Sequence, residues 1–106
     1  MEKSRWPTRV FRKHIRIMKI SVELYGAARD FSKSSNLEFD FTKNCKIEDI
    51  KDKLNEYIDK NFAGNKNYKE IIKSSAFCSE NDQLIRENQV LDKNQTIGII
   101  PPIGGG

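Results

Sequence analysis

Ile47-Glu48-Asp49-Ile50-Lys51-Asp52-Lys53-Leu54-Asn55-Glu56-Tyr57-Ile58 is the stretch on which the fold turns. Ile47, Ile50, Leu54, Tyr57 and Ile58 recur at spacings of three and four, so they share one face of a helix. Asn44 or Cys45 stands at its start. Glu48 and Asp49 fall in the first turn, where carboxylates offset the helix dipole. Lys60 lies near the end, and Asn61 and Gly64 supply stop signals. A helix with one apolar face needs an apolar surface to cover, so the flanking sequence is read for a sheet.

Upstream, Met18, Ile20, Val22 and Leu24 alternate with Lys19, Ser21, Glu23 and Tyr25, the period of a strand with one buried face. Gly26 to Phe31 fits a short helical turn, and Ser32 to Ser35 a polar loop. Leu37, Phe39 and Phe41 alternate with Asn36, Glu38 and Asp40 as a second strand, giving a hairpin with an elaborated turn. Downstream, residues 61 to 67 read as a polar loop, and Tyr68, Ile71 and Ile72 as one more short helical turn. Ala76-Phe77-Cys78 and Leu84-Ile85 are short strand candidates separated by a turn at Glu80 to Gln83. Asp92-Lys93-Asn94-Gln95 turns into a last strand, Thr96 to Ile100. The predicted class is α+β. The predicted architecture is a β-grasp: a mixed sheet of four to five strands covered by one main helix, its first and last strands paired in parallel at the centre.

The chain of 106 residues allows one domain. Three regions are expected: a basic extension over 1–17, the folded body over 18–100, and a glycine-rich tail over 101–106. The net charge of +4 is unevenly spread. Lys3, Arg5, Arg9, Arg12, Lys13 and Arg16 face a single acid, Glu2, within residues 1–17, and the remaining chain is close to neutral. The basic balance therefore belongs to the extension, and no nucleic-acid partner is expected for the body. The extension has the basic amphipathic look of a membrane-surface segment or transit peptide, but Pro7 and Glu2 weaken the match. Disorder ahead of an internal start at Met18 is the preferred reading. No apolar run approaches the about 20 residues of a membrane span.

Cys45 and Cys78 are far apart, and His14 is the lone histidine, so neither a zinc site nor a disulfide framework is expected. Small buried or half-buried side chains in a reducing compartment fit better. Glu48-Asp49 is read as dipole compensation, and Phe39, Phe41 and Phe77 as core or sheet residues. Asn94-Gln95-Thr96 is treated as a chance glycosylation sequon. No phosphate-binding glycine loop is present, so any ATP must be held by a partner.

The end of the chain, Ile100-Pro101-Pro102-Ile103-Gly104-Gly105-Gly106, carries the functional signal. Pro101 cannot donate to a sheet ladder, so the sheet should stop there. The two prolines favour extended backbone and direct the tail outward. Glycines without Cβ atoms can thread a narrow channel in another protein. The tail is read as a reactive end with the Gly106 carboxylate as the reacting group. A frayed terminus is the competing reading.

This order of elements followed by Gly-Gly resembles the ubiquitin-like β-grasp proteins. The stretch Met18 to Asp30 and the Pro-Pro-x-x-Gly-Gly ending more specifically resemble the MoaD-type small subunit of molybdopterin synthase, over about residues 18–106. Gly104 stands where that family often has serine, and Asp92-Lys93-Asn94-Gln95 replaces an acidic turn. The resemblance implies a sulfur carrier for molybdenum cofactor biosynthesis, located in the cytoplasm. An adenylating and sulfurtransferase enzyme would use ATP to activate Gly106, and a thiocarboxylate would form there. The large catalytic subunit of the synthase would then receive the sulfur, in a heterotetramer of two small and two large subunits. Pro101, Pro102, Ile103, Gly104 and Gly105 would form the tail that threads into both partners. The chain would bind no cofactor or metal and supply no general base. The exposed sheet face should carry apolar docking residues. Alternatives are a carrier for thiazole or tRNA thiolation, a modifier conjugated through Gly106, and a nucleic-acid or membrane-surface module using the basic arm.

Overall fold

The computed structural model describes residues 17–102. The basic segment before Ile17 and the sequence Ile103-Gly104-Gly105-Gly106 lie outside the described residues, and with them the expectations of disorder and tail mobility.

Alternation sets the first strand, β1 (Met18–Leu24). Met18, Ile20, Val22 and Leu24 are all buried, while Lys19 and Glu23 stand in solvent. β2 (Asn36–Phe41) runs antiparallel to it and pairs Met18 with Phe41, Ile20 with Phe39 and Val22 with Leu37. Paired residues share a face, so this register gathers the apolar side chains on one side. β4 (Gln95–Ile100) runs parallel to β1, with Ile97 beside Val22 and Ile99 beside Leu24. β3 (Ala76–Cys78) closes the far edge antiparallel to β4, setting Phe77 against Ile99. The sheet order is β2-β1-β4-β3, a mixed four-stranded sheet with the first and last strands at its centre, as expected.

α1 (Ile47–Phe62) lies on the apolar face through Ile47, Ile50, Leu54 and Ile58, all buried. Each such side chain removed from water contributes about 1.5–3 kcal/mol before entropy is counted. The helix starts two residues later than Cys45, with Lys46 at its N-cap. The Lys46 backbone N–H donates to the Asp49 carboxylate at 2.9 Å, so Asp49 satisfies a backbone donor as well as the helix dipole. At the other end Ala63 and Gly64 take left-handed conformations, and the Gly64 N–H returns to the Ile58 carbonyl at 3.2 Å.

Two expectations are corrected. Residues 61–67 are not one polar loop: α1 runs on to Phe62, and α2 (Lys66–Ser74) begins three residues beyond its C-cap as a full helix of nine residues. The Asn65 side chain caps it by accepting from the Tyr68 N–H at 3.1 Å. Its packing is aromatic. Tyr68 packs at a tilt on Phe31 and edge-to-face on Phe62, with ring centroids 5.2 and 5.0 Å apart. The Tyr57 hydroxyl donates to the Phe31 carbonyl at 2.6 Å. Four aromatic residues thus lock both helices to the short 3₁₀ helix Gly26–Phe31. Leu84-Ile85 is not a strand either. Leu84 makes one isolated bridge to Cys78, and Ile85 alone is buried, its N–H bonded to the Phe77 carbonyl at 2.8 Å.

Candidate functional site

β1 and β4 run parallel and end together, so the exit of the chain from the sheet sits beside the turn after β1. β4 stops at Ile100 and Pro101 follows, as a residue without a donor N–H requires. Pro101 is buried and Pro102 exposed. Gly26, with φ +56°, holds the floor under Pro101; a Cβ built on it would stand 3.7 Å from the proline Cδ. The left-handed backbone at Gly26 is one that L side chains rarely adopt. Pro101 is therefore the foot of the tail, packed on the turn, and Pro102 is the first residue free of the body.

The face of the sheet away from the helices lies next to this exit. The register places Lys19, Ser21 and Glu23 of β1 there, with Asn36, Glu38 and Asp40 of β2. Thr96, Gly98 and Ile100 of β4 and Ala76 and Cys78 of β3 complete it. The expected apolar docking residues are present at the tail end and along the β3 edge, where Leu84, 68% exposed, is bridged to Cys78 on the same face. Tyr25 is 45% exposed and Ile100 38% exposed, and between them Gly98 makes a dimple. The Tyr25 ring lies in that dimple: a Cβ on Gly98 would come within 2.7 Å of Tyr25 Cε2 and 3.2 Å of Cys78 Sγ. The β1–β2 half of the face is polar, and its charges are three carboxylates, Glu23, Glu38 and Asp40, against Lys19.

Glu23, Glu80 and Asp82 surround a shallow depression of about 300 Å³ floored by Tyr25, Cys78 and Gly98. The Tyr25 hydroxyl donates to Glu23 Oε1 at 2.6 Å. That bond holds the phenol above its ordinary pKa, with partial desolvation and the nearby negative charges adding to it. Glu80 is tied into the sheet by accepting the Thr96 N–H at 2.9 Å. Both cysteines are free thiols. Cys45 is buried just ahead of α1, bridged to Leu91, and desolvation, with Asp49 nearby, pushes its thiol up to about 11, so it stays protonated at neutral pH. Among the described residues no group of three or more His, Cys, Asp or Glu side chains is placed to hold a metal ion.

Of the residues singled out in the tail, Pro101 and Pro102 are placed by the structure, while Ile103, Gly104, Gly105 and Gly106 lie outside the described residues. Tyr25, Gly26 and Gly98 are not among the site residues expected from the sequence, and Ile100 is expected there only as the end of the last strand that leads into the tail. Gly98 carried a usable signal, since a glycine inside an apolar strand marks close approach of another group.

No family model and no curated relative matches the chain in sequence. Solved structures match its backbone. A putative molybdopterin converting factor, subunit 1, from Pyrococcus furiosus superposes with a TM-score of 0.60 at 13% identity, over 81% of this chain and 99% of that one. SAMP1 from Haloferax volcanii gives 0.57 at 12% identity, over 83% and 99%. The small archaeal modifier protein 1 from Methanosarcina acetivorans gives 0.54 at 23% identity, over 86% and 99%. The chain has the ubiquitin-like β-grasp fold. This β-grasp domain shares its architecture with a molybdopterin converting factor subunit and with modifier proteins alike, and at these identities the likeness is one of fold. No described helix is long and apolar enough to cross a membrane.

Proposed function

We propose that this protein is a ubiquitin-like sulfur carrier that works through its own C-terminal carboxylate in molybdenum cofactor biosynthesis. The observation that carries the reading is the exit of the chain. A β-grasp body pins Pro101 on Gly26 beside an exposed Tyr25–Ile100 patch, and the sequence continues as Pro102-Ile103-Gly104-Gly105-Gly106.

A carboxylate is a poor electrophile. An activating partner would join Gly106 to AMP, with pyrophosphate leaving from ATP. Attack by a sulfur donor on the acyl carbon would expel AMP and leave a thiocarboxylate. That sulfur is nucleophilic and would bond to a carbon of a pterin precursor in the large subunit of the synthase, after which water would cleave the acyl C–S bond and return Gly106 as the carboxylate. The chain contributes position: its body docks, and the tail brings the reacting atom into the partner's site at high effective concentration. Pro101 would set the direction of the tail, and Pro102 to Gly105 would do the threading. A carrier role in thiazole or tRNA thiolation would use the same tail. The second reading, a modifier joined to lysine amines through Gly106, is supported by the fold likeness to the two modifier-type proteins.

Removal of Gly106 tests the reading. The truncated chain should melt at the same temperature as the parent and release no pyrophosphate with the activating enzyme and ATP. Undiminished synthase turnover by the truncated chain would overturn the proposal.

A further inference from the structure

The open face of the sheet and the basic arm are complementary, and both belong to one chain. The face carries Glu23, Glu38, Asp40, Glu80 and Asp82 against a single lysine, Lys19, which is already paired with Asp40 at 3.4 Å. Both helices pack on the opposite side, through their buried apolar faces. The helical side offers no comparable field, since Glu48, Asp49, Lys51, Asp52, Lys53 and Glu56 intersperse the two signs along α1. Residues 1–16 carry six basic side chains and one acid. They also carry Trp6, Val10, Phe11 and Ile15, and the face has an apolar patch at Tyr25, Gly98 and Ile100, with exposed Leu84 beyond it at the β3 edge.

The reach is sufficient. The arm joins the body at the exposed Ile17, at the head of the central strand, and the apolar patch lies at the other end of that strand. The path along β1 is about 23 Å at ~3.3 Å per residue. Trp6 can stand up to ~36 Å from Ile17 along an extended chain, which leaves length for the reversal.

We propose that residues 1–16 dock on the open sheet face of their own molecule. Arg9 and Arg12 then lie over Glu23 and Glu38, and Trp6 sits against the Tyr25–Gly98–Ile100 patch. The docked arm covers the surface beside the tail exit and competes with any protein that binds there. Docking itself does not rest on the chemistry proposed for Gly106. Exposed ion pairs are individually weak and screened by salt, so the docked and released forms exchange and high salt favours release.

Trp6 is the only tryptophan, which makes its fluorescence a reporter in the full chain. At low salt, acrylamide should quench it ~2- to 3-fold less efficiently than at ~1 M NaCl. Arg9→Glu/Arg12→Glu should remove the protection and leave the melting temperature of the chain unchanged. Glu23→Lys/Glu38→Lys should remove it from the other side. Amide shifts of Ser21, Glu23, Thr96 and Gly98 should move with salt in the parent and stay still in the arm variant. Equal quenching in all chains would overturn the proposal. So would protection that survives both charge reversals, protection that grows with protein concentration, or shifts confined to the β2 edge or the helices.

Discussion

Gly98 and Gly26 do their work by lacking a Cβ. Gly98 sits in the middle of β4 and leaves the hollow that the Tyr25 ring fills. Gly98→Ala should cost about 1–3 kcal/mol, the usual range for overpacking, in a denaturant titration. Much of that cost should vanish in a Tyr25→Ala background, because the nearest atom to the new methyl is gone. Equal costs in both backgrounds would mean that Tyr25 does not occupy the hollow. At Gly26 the backbone itself is the constraint. Gly26→Ala should lose about 1–2 kcal/mol, and Gly26→Asn less, since asparagine tolerates the left-handed region better. Tyr25 was not legible as a site residue because, in the alternation of β1, it is simply the next solvent-facing position. Its importance comes from a glycine on a strand more than seventy residues later, and the pairing of those strands lies in the tertiary register.

At the scale of elements, α1 was legible almost whole. Its five apolar positions repeat at helical spacing, and four of them are buried against the sheet. Leu54 lies at the middle of that face with no exposure, so Leu54→Ala should cost about 2–5 kcal/mol by calorimetry or denaturant unfolding. α2 is longer than the sequence suggests because its first two residues, Lys66-Asn67, read as loop, and its anchor is a cluster of aromatic residues drawn from three separate elements. Leu84-Ile85 looked like a strand because two apolar residues follow a turn, yet only Ile85 is needed to seal the core edge. Cys45 gives this scale a pH dependence. Its folded thiol titrates near 11, against an ordinary value of 9.0. The folded state therefore holds the proton more tightly, a contribution that is fully present below pH 9 and lost as pH rises through 11. The destabilisation caused by Cys45→Ala should accordingly shrink between pH 9 and 11. A penalty constant across that window would show that the thiol does not titrate as its burial requires.

For the whole molecule, the decisive feature is that the last strand of the fold is a central one. Parallel pairing of β4 with β1 brings the chain out beside the turn at Tyr25-Gly26, at the opposite end of β1 from the point where the basic arm enters. The strand order and the central parallel pair were legible because hydrophobic periodicity gives the order of elements, and a single amphipathic helix leaves few ways to cover a sheet. The stop of the last strand before Pro101 was legible because a proline acts through local backbone chemistry. The gathering of Glu23, Glu38 and Asp40 on the open face was not, since the register of strands far apart in sequence decides which polar positions lie together. The account as a whole depends on the chemical form of Gly106. The most direct measurement is the mass of the C-terminal peptide from protein isolated out of its own cells. The account predicts a fraction heavier than the free acid by the replacement of one oxygen with sulfur. A peptide found only as the free acid, or joined through Gly106 to a lysine side chain, would contradict it.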